Sequence, residues 1–253
     1  MTPSRLRGFT LTELAVVLTI VGLLLLSLMY TLSAQTEQRN FEETRRRLEA
    51  ARELLLGFAI AHGRLPCPAS STSAGDEAPL GGGACTVFPN HNGLLPARSI
   101  GFQIVDAEGY AVDAWNNRIR YAVVNSPLAA CAAASTTPHF TDAATLKANG
   151  MTCLPNELVV CKSATAITAT TCGPALNALT NQTAVVTLVF SLGKNGSAGA
   201  GGIDEAANLN GDAVFVWHTP TPAAAGNGEF DDQMHWITVG ELYGKLIAAG
   251  VLP

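Results

Sequence analysis

The sequence predicts an α+β protein: one long N-terminal helix, membrane-spanning in its first half, packed on a head built around an antiparallel β-sheet. Three observations carry this. Residues 9–32 are 24 in number and hold a single charge, Glu13. At about 1.5 Å per residue they span roughly the 30 Å of a hydrocarbon core. Residues 33–62 contain no proline and repeat larger apolar side chains at Phe41, Leu48 and Leu55, with Ala51, Phe58 and Ala59 alongside. Beyond them the pattern changes to strand-length apolar runs separated by Gly, Pro, Asn and Ser. The chain therefore divides into a basic leader (1–8), a membrane half-helix (9–32), an amphipathic half-helix (33–62) and a head (63–253).

Arg5 and Arg7 precede the apolar run with no acid between them. The positive-inside bias then leaves 1–8 in the cytoplasm and sends the rest across the membrane. A cleaved secretory signal would have a shorter apolar region, about 7–15 residues, and a small-residue cleavage site that Ser33-Ala34-Gln35 does not supply. Glu13 is the informative residue, because an ionisable group within a membrane segment is costly and needs a partner. No basic residue stands three or four positions away, so a partner from another chain is expected. The plain alternative is a glutamate that reaches back to the headgroups.

In the second half of the helix, Glu42 and Arg46, and Glu43 and Arg47, stand at i and i+4 on the charged face. The interleaved acids make Arg45-Arg46-Arg47 a solvated face rather than a phospholipid or nucleic-acid contact. One helix from about 9 to 61 follows, roughly 80 Å long. Gly63, Pro66 and Pro68 end it.

Residues 69–92 read as a long loop, and Gly81-Gly82-Gly83 within it lacks the lysine of a phosphate-binding loop. Further on, Asp113 is expected to cap a turn completed by Asn116, with Trp115 and Tyr121 as core anchors. Strands are expected within 157–162, 183–191, 213–218 and 235–239. Residues 185–190 form the central one, being β-branched and continuously apolar. A short helix at 241–249 closes the chain.

Six cysteines, Cys67, Cys85, Cys131, Cys153, Cys161 and Cys172, all follow the membrane segment. An even number in an oxidising compartment implies disulfides. Pairing between sequence neighbours is expected, Cys67 with Cys85, Cys131 with Cys153 and Cys161 with Cys172, since each closes a loop rich in Gly, Ser, Thr and Pro. The absence of a CxxC spacing argues against thiolate metal binding. A net charge of −5 gives no basic surface for nucleic acid. The histidines are scattered, with no HExxH pattern and no GxSxG elbow, so no enzyme activity is expected.

The run Arg7-Gly8-Phe9-Thr10-Leu11-Thr12-Glu13, opening directly into an apolar helix, resembles the signal of type IV prepilins and type II secretion pseudopilins. The resemblance implies cleavage between Gly8 and Phe9 and methylation of the new Phe9 amine by a prepilin peptidase. It also implies that Glu13 pairs with the Phe9 amine of a neighbouring subunit during assembly. The implied architecture is a pilin-like lollipop, single-pass in the bacterial inner membrane, with the N-terminus cytoplasmic and the head periplasmic until a filament forms. Its partners would be other pilin or pseudopilin subunits, the peptidase, an inner-membrane assembly platform and membrane lipid. The role would be a structural subunit of a type II secretion or type IV pilus filament. A membrane-anchored periplasmic adhesion, DNA-uptake or hydrolytic protein is the alternative. Tyr30 stands where many pilins have a proline.

Asp113-Ala114-Trp115-Asn116 is similar to the Asp-x-Trp-Gly turn of pseudopilins, with Asn116 in place of glycine. Ser191-Leu192-Gly193-Lys194-Asn195-Gly196 resembles the Ser-x-Gly-x-Asp-Gly loop of major pseudopilins, which binds calcium. Here Asn195 replaces the aspartate and Lys194 adds a cation. The resemblance implies a calcium site fed by hard oxygens from Asp204, Glu205, Asn208, Asp212, Asp231 and Asp232, with no other cofactor.

Overall fold

The computed structural model describes residues 10–87, 91–125, 138–199 and 201–252, with the side chains of 26–34 outside the description. The chain divides into two compact units, Met1–Glu42 and Glu43–Pro253. Helix α1 runs over Leu11–His62, uninterrupted because no proline removes a backbone donor within it. It ends where Gly63 takes a left-handed φ of 69° and donates its N–H to the Ala59 carbonyl at 2.8 Å.

In the first unit α1 carries its apolar side chains outward. Leu11, Leu14, Leu18, Ile20 and Leu23 are each more than half exposed. Among the described residues, no helix is long and apolar enough to cross a membrane.

In the second unit the spacing read from the sequence appears as one buried stripe. Leu48, Ala51, Leu55 and Ala59 are fully buried in the main core, and each buried leucine there contributes roughly 1.5–3 kcal/mol relative to exposure. Charged neighbours on the same segment dock it by hydrogen bonds. Arg47 pairs with Glu43 at 3.0 Å and donates Nη1 to the carbonyls of Val112 at 3.1 Å and Asp113 at 2.8 Å. The Thr44 hydroxyl accepts from the Ala114 N–H at 3.1 Å. Arg52 donates to the Trp236 carbonyl at 3.2 Å and pairs with Glu241. Arg47 of the basic run thus docks on the head instead of lying on a solvated face.

Four strands form an antiparallel sheet in the order β1 (Gly93–Leu94), β2 (Arg120–Val123), β4 (Val185–Ser191) and β6 (Gln233–Thr238). Tyr121 faces Val189 and Leu188 faces Trp236 across the register. All seven residues of β4 are buried, as its continuous apolar run requires of an inner strand. A second, parallel pair joins β3 (Val159–Cys161) to β5 (Val214–Val216), which the expectation of antiparallel strands did not include. Phe190 of β4 meets Phe215 of β5 edge-on at 5.4 Å.

Three short helices lie between strands. They are α2 (Ala97–Ile100), α3 (Ala143–Asn149) and α4 (Ile203–Leu209). The last carries three of the expected calcium ligands, Asp204, Glu205 and Asn208. Helix α5 (Val239–Ala248) starts two residues earlier than expected because Thr238 caps it, accepting from the Glu241 N–H at 3.3 Å.

Two of the expected disulfides are present, Cys67 with Cys85 and Cys161 with Cys172, closing loops with sequence separations of 18 and 11. Each constrains the unfolded chain by about 3 kcal/mol on a loop-entropy account. Cys153 is also disulfide-bonded, and its expected partner Cys131 lies outside the described residues. The Asp113 turn forms as read. Its Oδ1 accepts from the Trp115 and Asn117 N–H groups, both at 2.8 Å, and Asn116 takes φ 66°. Tyr121 is fully buried. Trp115 is only half-buried, because its place in the turn sets it at the core's margin whatever its size.

Candidate functional site

At the start of α1, Thr10 and Glu13 form a reciprocal cap. The Thr10 N–H and hydroxyl both donate to Glu13 Oε2 at 2.8 Å, and the Glu13 N–H donates to Thr10 Oγ1 at 3.3 Å. This is the Thr-x-x-Glu capping box, which satisfies helix-end donors that the helix itself leaves unpaired. The carboxylate expected to need a partner from another chain therefore has a local one. That spacing was visible in the sequence. Gly8 and Phe9, the expected processing residues, lie outside the described residues.

The second site is built where β4 ends, α4 begins and β6 is entered. Glu205, Asp231 and Asp232 are all buried, and one carboxylate oxygen from each lies within 4.8 Å of the others. Glu205, in the first turn of α4, accepts from Asn195 Nδ2 at 2.8 Å and from the Gly201 N–H through Oε2, and from the Asp231 N–H at 2.7 Å through Oε1. Asp231 Oδ2 accepts from the Lys194 N–H at 3.0 Å, and Asp232 Oδ2 from Asn208 Nδ2 at 2.7 Å. Gly193 is required here. A Cβ on it would stand 1.9 Å from Asp231 Oδ1, at a left-handed φ of 62°.

Three oxygens beside this cluster are buried and lack any hydrogen-bond partner: Asn195 Oδ1, Asp231 Oδ1 and Asp232 Oδ1. Such groups are rare and costly when nothing satisfies them. Burial, and after it the charge of Glu205, pushes the Asp231 carboxyl up to about 7. Burial likewise raises Asp232 well above the ordinary carboxylate range. Three adjacent carboxyl groups whose ionisation is opposed by burial and by one another, with unspent hard oxygens, form a donor set suited to a divalent cation of the calcium class.

The other three residues expected at this site do different work. Asp204 accepts from the Ala164 N–H at 2.5 Å, from Asn227 Nδ2 and from His218 Nε2 at 3.2 Å, tying the β3 loop to α4. Asn208 is clamped on Val216, with Oδ1 accepting its N–H at 2.7 Å and Nδ2 donating to its carbonyl at 3.0 Å. It therefore turns its amide nitrogen, not its oxygen, toward Asp232. Asp212 accepts from the Val214 N–H at 2.8 Å and from Asn210 Nδ2 at 2.7 Å and stands apart from the cluster. Asn195, in contrast, enters the site at the position where the resembling loop has an aspartate.

The described residues form an α+β protein with a long N-terminal helix, an antiparallel sheet and a buried carboxylate cluster. The sequence then supplies the identifying signal: the prokaryotic N-terminal methylation motif matches residues 3–29. The chain thus carries the prepilin-type signal of type IV pilins and pseudopilins, and that signal implies peptidase processing and assembly with other pilin subunits. The match ends within α1. Comparisons with curated proteins and with solved structures return no match.

Proposed function

We propose that the chain is a pseudopilin or minor pilin: a non-enzymatic structural subunit of a type II secretion or type IV pilus filament, held in the bacterial inner membrane until it is assembled. The observation that carries the reading is the methylation motif at residues 3–29 running without a break into α1. Cleavage after Gly8 makes Phe9 the new N-terminus, and its methylated amine keeps a positive charge at the helix entrance. The outward apolar side chains from Leu11 to Leu25 suit lipid before assembly and the helices of other subunits after it. On the same reading Glu13 exchanges part of its local cap for the amine of a neighbouring subunit, an attraction that low dielectric strengthens. The head stays periplasmic, where its disulfides persist. Calcium held by Glu205, Asp231, Asp232 and the Asn195 amide oxygen fastens the loop between β4 and β6.

Intact-mass measurement of membrane-extracted protein tests the proposal. The native chain should lack residues 1–8 and carry one methyl group on Phe9, while Gly8→Val should remain at full precursor mass. A native chain that keeps its leader, or a Gly8→Val chain that is still trimmed at Phe9, refutes the assignment.

A further inference from the structure

A cavity of about 710 Å³ opens on the head beside the β1 edge of the sheet, with Ser70, Ser71, Thr86, Asn92, Asn117 and Arg120 among its walls. Arg120 begins β2, opposite Leu94 on one side and Phe190 on the other. Its Nη1 donates to Asn92 Oδ1 at 3.1 Å, and Asn92 is itself oriented by donating Nδ2 to the Leu209 carbonyl at 3.3 Å. Among the described residues no carboxylate pairs with Arg120. Arg118, which also lines the cavity, differs in this respect, being bonded to Asp106 at 2.6 Å and Glu108 at 3.0 Å and lying over the Tyr110 ring at 4.2 Å.

Burial lowers the Arg120 pKa, and no opposite charge offsets it. A half-buried guanidinium without a counter-charge is an expensive arrangement. None of its nitrogens is a buried atom lacking a partner, so the donors that Asn92 leaves unused face the cavity.

We propose that this groove is a recognition site for a peptide segment bearing a carboxylate, with Arg120 as its anchor. The planar guanidinium presents paired N–H donors that match a carboxylate bidentately. The volume lies in the roughly 300–1,000 Å³ range of pockets that enclose a ligand, much more than an inorganic anion fills. Side-chain amides and hydroxyls around the anchor suit the alternating N–H and C=O groups of a peptide. Among the described residues that line the cavity, polar side chains and backbone predominate over rings, and none is aromatic. Leu94 already exchanges both main-chain hydrogen bonds with Ala69 at 2.9 and 3.0 Å, so the segment is held by side chains rather than added to the sheet as a strand.

The test uses the full chain in detergent, fluorescently labelled, on an immobilised array. The array displays pentapeptides carrying Asp, Glu or a free terminal carboxylate beside the same sequences with Asn, Gln or an amide, and uronic-acid disaccharides. The expected result is an acid-over-amide preference of at least about tenfold, retained in Arg98→Gln, an exposed arginine outside the cavity, and lost in Arg120→Gln. A soluble acidic pentapeptide should displace the native chain from the array where its amide form does not, a readout independent of whether the variant folds. The proposal is overturned if the native chain shows no acid preference, if that preference survives Arg120→Gln in a folded variant, or if only the disaccharides bind.

Discussion

Replacing Asp232 by asparagine should move stability in opposite directions with and without calcium. Asp232 is 2 % exposed. One of its oxygens takes the Asn208 amide at 2.7 Å, the other has no partner, and the carboxylates of Glu205 and Asp231 stand within 4.8 Å. Without a cation, the substitution removes a carboxyl whose ionisation burial, Glu205 and Asp231 all oppose, while keeping an oxygen for Asn208. The expected gain is about 1–3 kcal/mol, a rise in melting temperature of roughly 2–12 °C for a domain of this size. With calcium at about 100 times its Kd, the native chain should gain about 2.7 kcal/mol, or roughly 5–11 °C, by mass action. Asp232→Asn should lose most of that gain, since the site has given up one of three anions. Thermal unfolding of both chains in EDTA and in millimolar calcium reads the two effects, and calorimetric titration reads the affinity. An Asp232→Asn chain that melts below the native one in EDTA, or that calcium stabilises equally, refutes the reasoning.

Other parts of the head and helix give independent tests. Glu77→Gln should cost about 3–5 kcal/mol in chemical denaturation, because it strips the charge partner from buried Arg64, now held at 2.8 and 2.6 Å. A loss under about 1 kcal/mol would mean that the pair is not confined as the structure shows it. Burial holds the His139 imidazole down at about 4 against an ordinary 6.5, so below pH 6.5 the unfolded chain binds the proton first. Its contribution is therefore full above 6.5 and fades as pH falls toward 4, by about 1.4 kcal/mol per pH unit at most. His139→Gln should flatten that slope in urea titrations, and an unchanged slope would assign it to another group. Glu13→Ala and Glu13→Gln should both be processed yet fail to enter filaments, as judged by shearing and immunoblot. Recovery by Gln alone would make the local cap, not the charge, the essential function.

Features set by near neighbours in the chain were legible; those set by long-range meetings were not. The docking stripe of Leu48, Ala51, Leu55 and Ala59 follows from helical spacing alone, and the inner position of β4 from its unbroken apolar run. The turn at Asp113 follows from the chemistry of Asp and Asn. The acidic set was harder because three of its expected members lie on the helix at Ile203–Leu209, which is not among the elements expected from the sequence. On that helix Asp204 and Glu205, adjacent in sequence, diverge by about 100° around the axis. Asp204 therefore reaches His218 and Ala164 while Glu205 reaches Asp231. Nothing local announces the parallel pairing of β3 with β5, or that among the described residues no carboxylate meets Arg120, since both depend on segments far apart in the chain.

The carboxylate cluster and the docking of α1 onto the head are joined by consecutive hydrogen bonds within the second unit. Arg47 and Thr44 hold the backbone of the Asp113 turn. Asp113 Oδ2 accepts from the Ser191 hydroxyl at 2.5 Å, and that hydroxyl oxygen accepts from the Gly193 N–H at 3.1 Å. Gly193 in turn has no Cβ to displace Asp231. Burial raises the Asp113 pKa despite these donors, and the carboxyl orients both ends of the chain of bonds. The loop that presents the cluster is thereby fixed to the segment of α1 buried in the head.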